Sequence, residues 1–246
     1  MNGEPGGPME IRWKAASLVC SLLLSLLAGG TAWAQSQPKA KGIESEGYVW
    51  NKLVGEEAAA LKLKGNVENG EEIFEVCSAC HLPSGSGRPD GTFPQLVGQH
   101  STVIIKQIAD IRAGRRDNPI MYPFAKTLND AQDLADVAAY IQTLPIPSNN
   151  GKGPEKNLER AAALYQKNCV RCHQDHGQGN AEKFYPVLAG QHYKYLLRQI
   201  RDIKAGRRRN ANPDMVKVVS KIDDDDLKIL VDYMSRLKWP ERQPGH

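Results

Sequence analysis

Cysteine, aromatic residues and long apolar runs are scarce in this 246-residue chain, and each scarcity excludes something. Five cysteines are too few for a disulfide scaffold. Aromatic residues make up 7%, so a compact domain must find apolar bulk elsewhere, and a bound apolar group can supply it. No segment beyond residue 34 is apolar enough to span a membrane. No stretch alternates with period two for long enough to be a convincing strand. The net charge is only +4, which gives no argument for nucleic acid. What is left is ordinary globular composition, 41% hydrophobic and 24% charged. The length allows one or two domains of roughly 100–200 residues.

The apolar run that does exist lies at the N-terminus. Arg12 and Lys14 precede an uncharged, leucine-rich stretch over 15–30, and Ala32, Trp33 and Ala34 form a small-x-small site. That order predicts a secretory signal peptide over 1–34, cleaved after Ala34. The run is short for a spanning helix, which needs ~20 residues. The mature chain then starts at Gln35, is exported, and keeps four cysteines, because Cys20 leaves with the signal.

Those four cysteines expose a duplication. Cys77, Cys80 and His81 recur as Cys169, Cys172 and His173, 92 residues later. Residues 93–118 match 185–210 at 14 of 26 positions, a density that marks an internal repeat. Beyond it the register slips by small indels: Pro119 and Met121 match Pro213 and Met215, and Leu134 and Tyr140 match Leu227 and Tyr233. The run 144–154, with its prolines and glycines, carries no helical period and reads as a linker. The expected layout is an N-terminal extension over 35–65, weakly helical around Glu56 to Leu63, one domain over 66–147, a linker at 148–153, a second domain over 154–240 and a tail at 241–246. Helix formers lead into each cysteine pair. Ile104, Ile108 and Ile111, and then Leu196, Ile200 and Ile203, recur at helical spacing, with Gly114 and Gly206 as stops. Asn129 with Gln132, and Asp223 with Asp226, are read as caps opening a last helix. The fold class is all-α.

Cys-x-x-Cys-His is a c-type haem attachment signal. Two cysteines three apart on a helix project to one side, where both thiols can reach the vinyl groups on one haem edge. The histidine, four residues after the first cysteine, lies on that side too and can rise beneath the iron. A thioredoxin-like site wants a strand–helix context that is missing, and a zinc ribbon keeps its cysteine pairs closer in sequence. Two covalent haem c groups are therefore expected, one per domain, on Cys77 and Cys80 with His81 and on Cys169 and Cys172 with His173. For the sixth iron ligand, Met121 and Met215 hold equivalent places in the two copies, and His/Met pairing is known in cytochromes c. Met234 falls on the last helix beside Tyr233 and is read as core. His100 and His192 also recur and are the main alternative ligands, but at the start of a helix they are read as capping or surface hydrogen-bonding residues; His176 is a loop residue. A carbonyl near Pro94 and Pro186 is placed to accept the proximal ring N–H. Arg115, Arg116 and 207–209 are read as a solvated face or as contacts to haem propionates.

With those motifs in hand, the chain resembles the dihaem cytochrome c4 family. Both copies carry the attachment motif, a Pro-x-Leu-x-Gly-Gln-His stretch, an Ala-Gly-Arg-Arg segment and then a methionine. The resemblance implies two tandem class I cytochrome c domains, each wrapped around one haem, with propionate edges facing one another. It implies a periplasmic carrier, not an enzyme, that shuttles single electrons between respiratory-chain proteins. Its donors and acceptors would be a respiratory complex, a terminal oxidase or a reductase, with any membrane association peripheral and through those partners, and with no nucleic acid. The alternative is a haem-bearing subunit of a dehydrogenase or reductase complex. Charge divides along the chain: 66–147 carries −4 and 148–246 carries +7. Two differently charged ends can steer toward different partners, with the 207–209 arginine cluster as the basic docking candidate. The extension over 35–65 is longer than the family leads one to expect, and the segment before each methionine is unusual.

Overall fold

Local chemistry sets the helix ends on which everything else is mounted. The computed structural model describes residues 36–239; the expected signal peptide and the tail at 241–246 lie outside the described residues. In the first half, α1 is Gly55–Ala60, α2 Val67–His81, α3 Ser101–Arg112, α4 Tyr122–Ala125 and α5 Ala131–Thr143. In the second, α6 is Leu158–Asn168, α7 Val170–His173, α8 Tyr193–Lys204, α9 Pro213–Val219 and α10 Asp224–Arg236. Asn66 caps α2 by accepting from the N–H groups of Glu68 and Asn69. Asp223 caps α10 by accepting from the N–H of Asp226. The partner helix α5 is capped by Asp130, not Asn129: the Asp130 carboxylate reaches the N–H groups of Gln132 and Asp133, while Asn129 donates to Asp133. Gly114 and Gly206 follow the ends of α3 and α8 at φ 71° and 70°, the left-handed stop that glycine takes without penalty. Among the described residues there is no strand, only an isolated antiparallel bridge between Asn180 and Tyr185.

Each half is closed by its first and last long helices. α2 packs on α5 and α6 packs on α10. An aromatic pair sits at each contact: Phe74 on Tyr140 with ring centres 5.4 Å apart, and Tyr165 on Tyr233 at 5.5 Å. Gly70 lets α2 come close, because a β-carbon there would strike the Asp136 carbonyl. Around these contacts lie two cores. Phe74, Ile104, Leu134 and Ile141 anchor the first. Tyr165, Leu196, Leu227 and Met234 anchor the second. Full burial of each Leu or Ile contributes about 1.5–3 kcal/mol. Met234 is therefore core, as its place beside Tyr233 suggests.

The halves meet across a seam that obeys the 92-residue repeat. The Gln99 side chain donates to the Val187 carbonyl and accepts from the Val187 N–H, at 3.1 and 2.9 Å. Gln191 does the same to Gln95, at 2.9 and 3.0 Å. His100 Nε2 bonds the Gln178 carbonyl and His192 Nε2 the Ser86 carbonyl, both at 2.8 Å. Gln99 and Gln191, Gln95 and Val187, and Ser86 and Gln178 are equivalent positions, so the seam is close to two-fold. Neither His100 nor His192 caps its helix through its side chain. The capping reading is corrected: each imidazole leaves its own domain and pins the other.

Candidate haem sites

Cys77, Cys80 and His81 stand on the last turns of α2. Cys169 follows α6, and Cys172 and His173 stand on α7. The helix loosens at Cys169, where φ is −116°, yet the His173 N–H still reaches the Cys169 carbonyl at 2.9 Å. All four thiols are free of disulfides. Burial pushes Cys77 up to about 11 and Cys169 up to about 12. Neither is the activated thiolate that a dithiol redox site requires. Among the described residues no group of three or more His, Cys, Asp or Glu side chains could hold a metal ion, so the cysteines do not assemble a zinc site.

Past each histidine the chain makes the same loop twice. Leu82 and Gln174 turn it at φ 64° and 61°. Gly85 then accepts from the Leu96 N–H at 2.8 Å, and Gly177 accepts from Leu188 at 2.7 Å. The loop delivers the Pro94 carbonyl to His81 Nδ1 at 2.9 Å and the Pro186 carbonyl to His173 Nδ1 at 2.9 Å. With the carbonyls accepting, Nδ1 of each ring carries the proton. Nε2 is left without a hydrogen-bond partner among the described residues. Both imidazoles are buried. Burial holds both below the ordinary histidine range, against the opposing pull of the carbonyl bond. A neutral, oriented ring with Nε2 open is the form that ligates a metal.

The two methionines stand at the N-terminal ends of equivalent short helices. Met121 precedes α4 and packs by Ile108 near Ile111, Tyr122 and Ala125; its N–H donates to Asn118 Oδ1 at 3.1 Å. Met215 lies in α9, which Asn212 caps, and packs against the second core. Both are half-buried. The unusual residues before each methionine are thus the helix-opening Asn118 and Asn212.

The arginines are only in part a solvated face. Arg207 is 64% exposed in its side chain, but Arg115 is held by Asp110 and Glu57. Arg116 and Arg208 share the seam: each donates to both Gln107 and Gln199, over 3.0–3.1 Å. Neither has a carboxylate partner among the described residues. Burial, with Arg116 alongside, pushes Arg208 down to about 10, so it stays charged at neutral pH. The 207–209 run is therefore not a free docking cluster. Sequence reasoning also missed Gln99, Gln107, Gln191 and Gln199; the signal was their identity in both copies without any haem role.

These features fit a covalent haem in each half. The thiols are unpaired, and a buried, oriented imidazole directly follows each cysteine pair. The fold and its two sites define a tandem c-type haem protein. The cytochrome c family model matches residues 67–145 and again 158–238. The chain is 31% identical over 191 residues to a cytochrome c4 of Azotobacter vinelandii, covering 70% of this chain and 90% of that protein. It is 29% identical to a thiosulfate dehydrogenase electron acceptor of Stutzerimonas stutzeri, covering 77% and 95%. The crystal structure of reduced recombinant cytochrome c4 from Pseudomonas stutzeri superposes with a TM-score of 0.62 at 30% identity, over 70% of this chain and 99% of that one. The chain belongs to the cytochrome c family and, within it, to the dihaem cytochromes c4. It carries two covalent haem c groups and transfers electrons, with redox proteins as its partners.

Proposed function

We propose that Cys77 and Cys80 bind one haem and Cys169 and Cys172 the other, and that His81 with Met121, and His173 with Met215, would ligate the two irons. The chain then works as an exported periplasmic carrier, shuttling single electrons between a respiratory donor and an oxidase or reductase. The observation that carries this reading is the twice-built loop that sets a backbone carbonyl 2.9 Å from each histidine Nδ1. Bound haem supplies a one-electron iron couple. The chain does the rest. Pro94 and Pro186 orient the imidazoles and raise their basicity as ligands. Met121 and Met215 would add a thioether ligand to each iron, and His/Met ligation raises the reduction potential. The two cores exclude water. With a histidine and a methionine both ligating, each iron would have no site left for a substrate, which favours a carrier over a peroxidase. No helix among the described residues is long and apolar enough to cross a membrane.

A second reading has one observation behind it. The similarity to a thiosulfate dehydrogenase electron acceptor supports service as the haem-bearing partner of a dehydrogenase. Stable co-purification with a catalytic subunit would separate the two readings.

The test is an optical redox titration of the haem-loaded protein. Two positive potentials are expected, with the ferric Met–iron band lost one haem at a time in Met121→Ala and Met215→Ala. A five-coordinate or strongly negative haem in the unaltered protein would overturn the carrier reading.

A further inference from the structure

The N-terminal extension lies outside both segments that the family model matches, which begin at residue 67. It is nonetheless folded onto the protein, and it crosses the seam. Gln37 donates to the carbonyls of Ile111 and Arg116, at 2.9 and 2.7 Å, and accepts from the Asn118 N–H at 2.9 Å. The Ala40 N–H reaches the Gly114 carbonyl at 3.0 Å. These partners lie on the last turn of α3 and on the loop that runs from it to Met121. A few residues on, the Ile43 N–H bonds the Arg209 carbonyl at 2.7 Å, and Tyr48 Oη donates to the Ala211 carbonyl at 3.1 Å. Those partners belong to the equivalent loop of the second domain, between α8 and Met215. One short segment thus grips the pre-methionine loop of both domains.

Arg209 stands where the three strands of chain meet. Its side chain is 7% exposed. Nε donates to Glu44 at 2.7 Å. Nη1 donates to the Gly114 carbonyl at 3.0 Å and lies 3.4 Å from Asp117 Oδ1. Nη2 donates to the Ala40 carbonyl. Asp117 is the position equivalent to Arg209 in the other repeat. The duplication has diverged there to opposite charges that face each other across the seam. Asn210, next along, donates to Asp110 at 2.8 Å and Gln107 at 3.1 Å in the other domain. A planar fork with donors in three directions is what arginine offers and lysine does not. Domains joined by a linker move against one another unless something holds them.

We propose that residues 37–48 form an interdomain clamp closed on Arg209, and that Arg209 is a positioning residue for electron exchange between the two haems. In that exchange one iron gives up an electron and the other gains it, with no proton and no bond made or broken. Its rate depends on the separation and orientation of the two groups, and those depend on how the domains are held. The proposal rests on the reading that each domain carries a closed His/Met haem.

The test uses the full, haem-loaded chain. Arg209→Met removes the charge and the fork while keeping much of the stem. Arg209→Lys keeps the charge and loses the fork, and Glu44→Gln weakens the clamp from its exposed side. After rapid partial reduction, the rate of electron equilibration between the haems is followed optically, and unfolding is followed by calorimetry. Arg209→Met is expected to slow equilibration about tenfold or more, as misplacement of reacting centres does, and to split one unfolding transition into two. Arg209→Lys should not restore the rate, and Glu44→Gln should shift both readouts in the same direction by less. Should Arg209→Met not fold, Glu44→Gln decides alone. Unchanged equilibration with one cooperative transition in the folded variants would overturn the clamp. The Met–iron bands of both haems, recorded in each variant, keep that failure apart from failure of the ligation reading, since a wrong ligand set shows in the unaltered protein.

Discussion

At Gly87 the requirement for a missing side chain is absolute in two ways. Its φ is +66°, and a β-carbon would run into the Pro94 carbonyl. That carbonyl is the group holding His81 Nδ1. Gly87→Ala should therefore cost more than about 1 kcal/mol and also move the acceptor that tunes the ligand. The expected outcome is a lower Tm together with a changed potential for the first haem alone; Gly179→Ala, at φ +66° against the Tyr185 carbonyl, should mirror it on the second. A redox titration in which both haems shift equally would count against the assignment. The carbonyl itself was legible in the sequence, because Pro94 and Pro186 keep one distance from a motif whose chemistry needs an oriented imidazole. His100 and His192 were legible as important but not in their role. Their partners, Gln178 and Ser86, lie in the other repeat, and no local pattern announces a bond that skips from one domain to the next.

Among the elements, α2 and α5 are tied by the buried carboxylate of Asp136. Asp136 accepts from the Asn66 N–H at 2.7 Å, from the Asn69 amide at 2.7 Å and from the Gln132 amide at 2.6 Å. Burial alone would raise its pKa, but the three donors outweigh it and hold the carboxyl below its usual value. A depressed carboxylate contributes stability above its unfolded pKa of about 3.9 and loses it as pH falls through the folded value. Asp136→Ala leaves those donors without their acceptor and should cost about 1–3 kcal/mol, with acid unfolding less steep than in the unaltered protein. Urea melts at neutral and acid pH check both. Helix existence was readable from apolar spacing, and so were the glycine stops. The cap of α5 was placed one residue early, because Asn129 and Asp130 are both good caps and only the path of the chain chooses between them. The extension offered a weak helix around Glu56 to Leu63, which forms as α1, but no pattern over 37–48, because the structure there is borrowed. Gln37, Glu44 and Tyr48 are ordered by partners far along the chain, which a reading of neighbours cannot supply.

For the whole molecule, the seam carries a pH dependence that follows from its two histidines. His192 donates from Nε2 to Ser86 and accepts the Gly151 N–H on Nδ1 at 3.0 Å, so both ring nitrogens are committed in the neutral form. A second proton would set N–H against N–H and release the linker at Gly151. His100 has the same Nε2 bond to Gln178. Burial lowers both pKa values, against the carbonyl bonds and, for His192, against Asp90. The sign follows from the depressed folded values. Below the unfolded pKa of about 6.5, the unfolded chain takes up protons that the folded seam refuses, so stability falls as pH drops and is retained above. Under the proposed ligation, His81 and His173 would give their Nε2 to iron and would not titrate in this window. The haem-loaded protein should therefore lose Tm progressively below about pH 6.5, and the double variant His100→Gln, His192→Gln should begin from a lower Tm and show a flatter profile. Glutamine keeps a donor for each carbonyl but no proton to gain. If the double variant keeps the slope of the unaltered protein, the dependence belongs to other groups, and the two imidazoles hold the domains together without sensing pH.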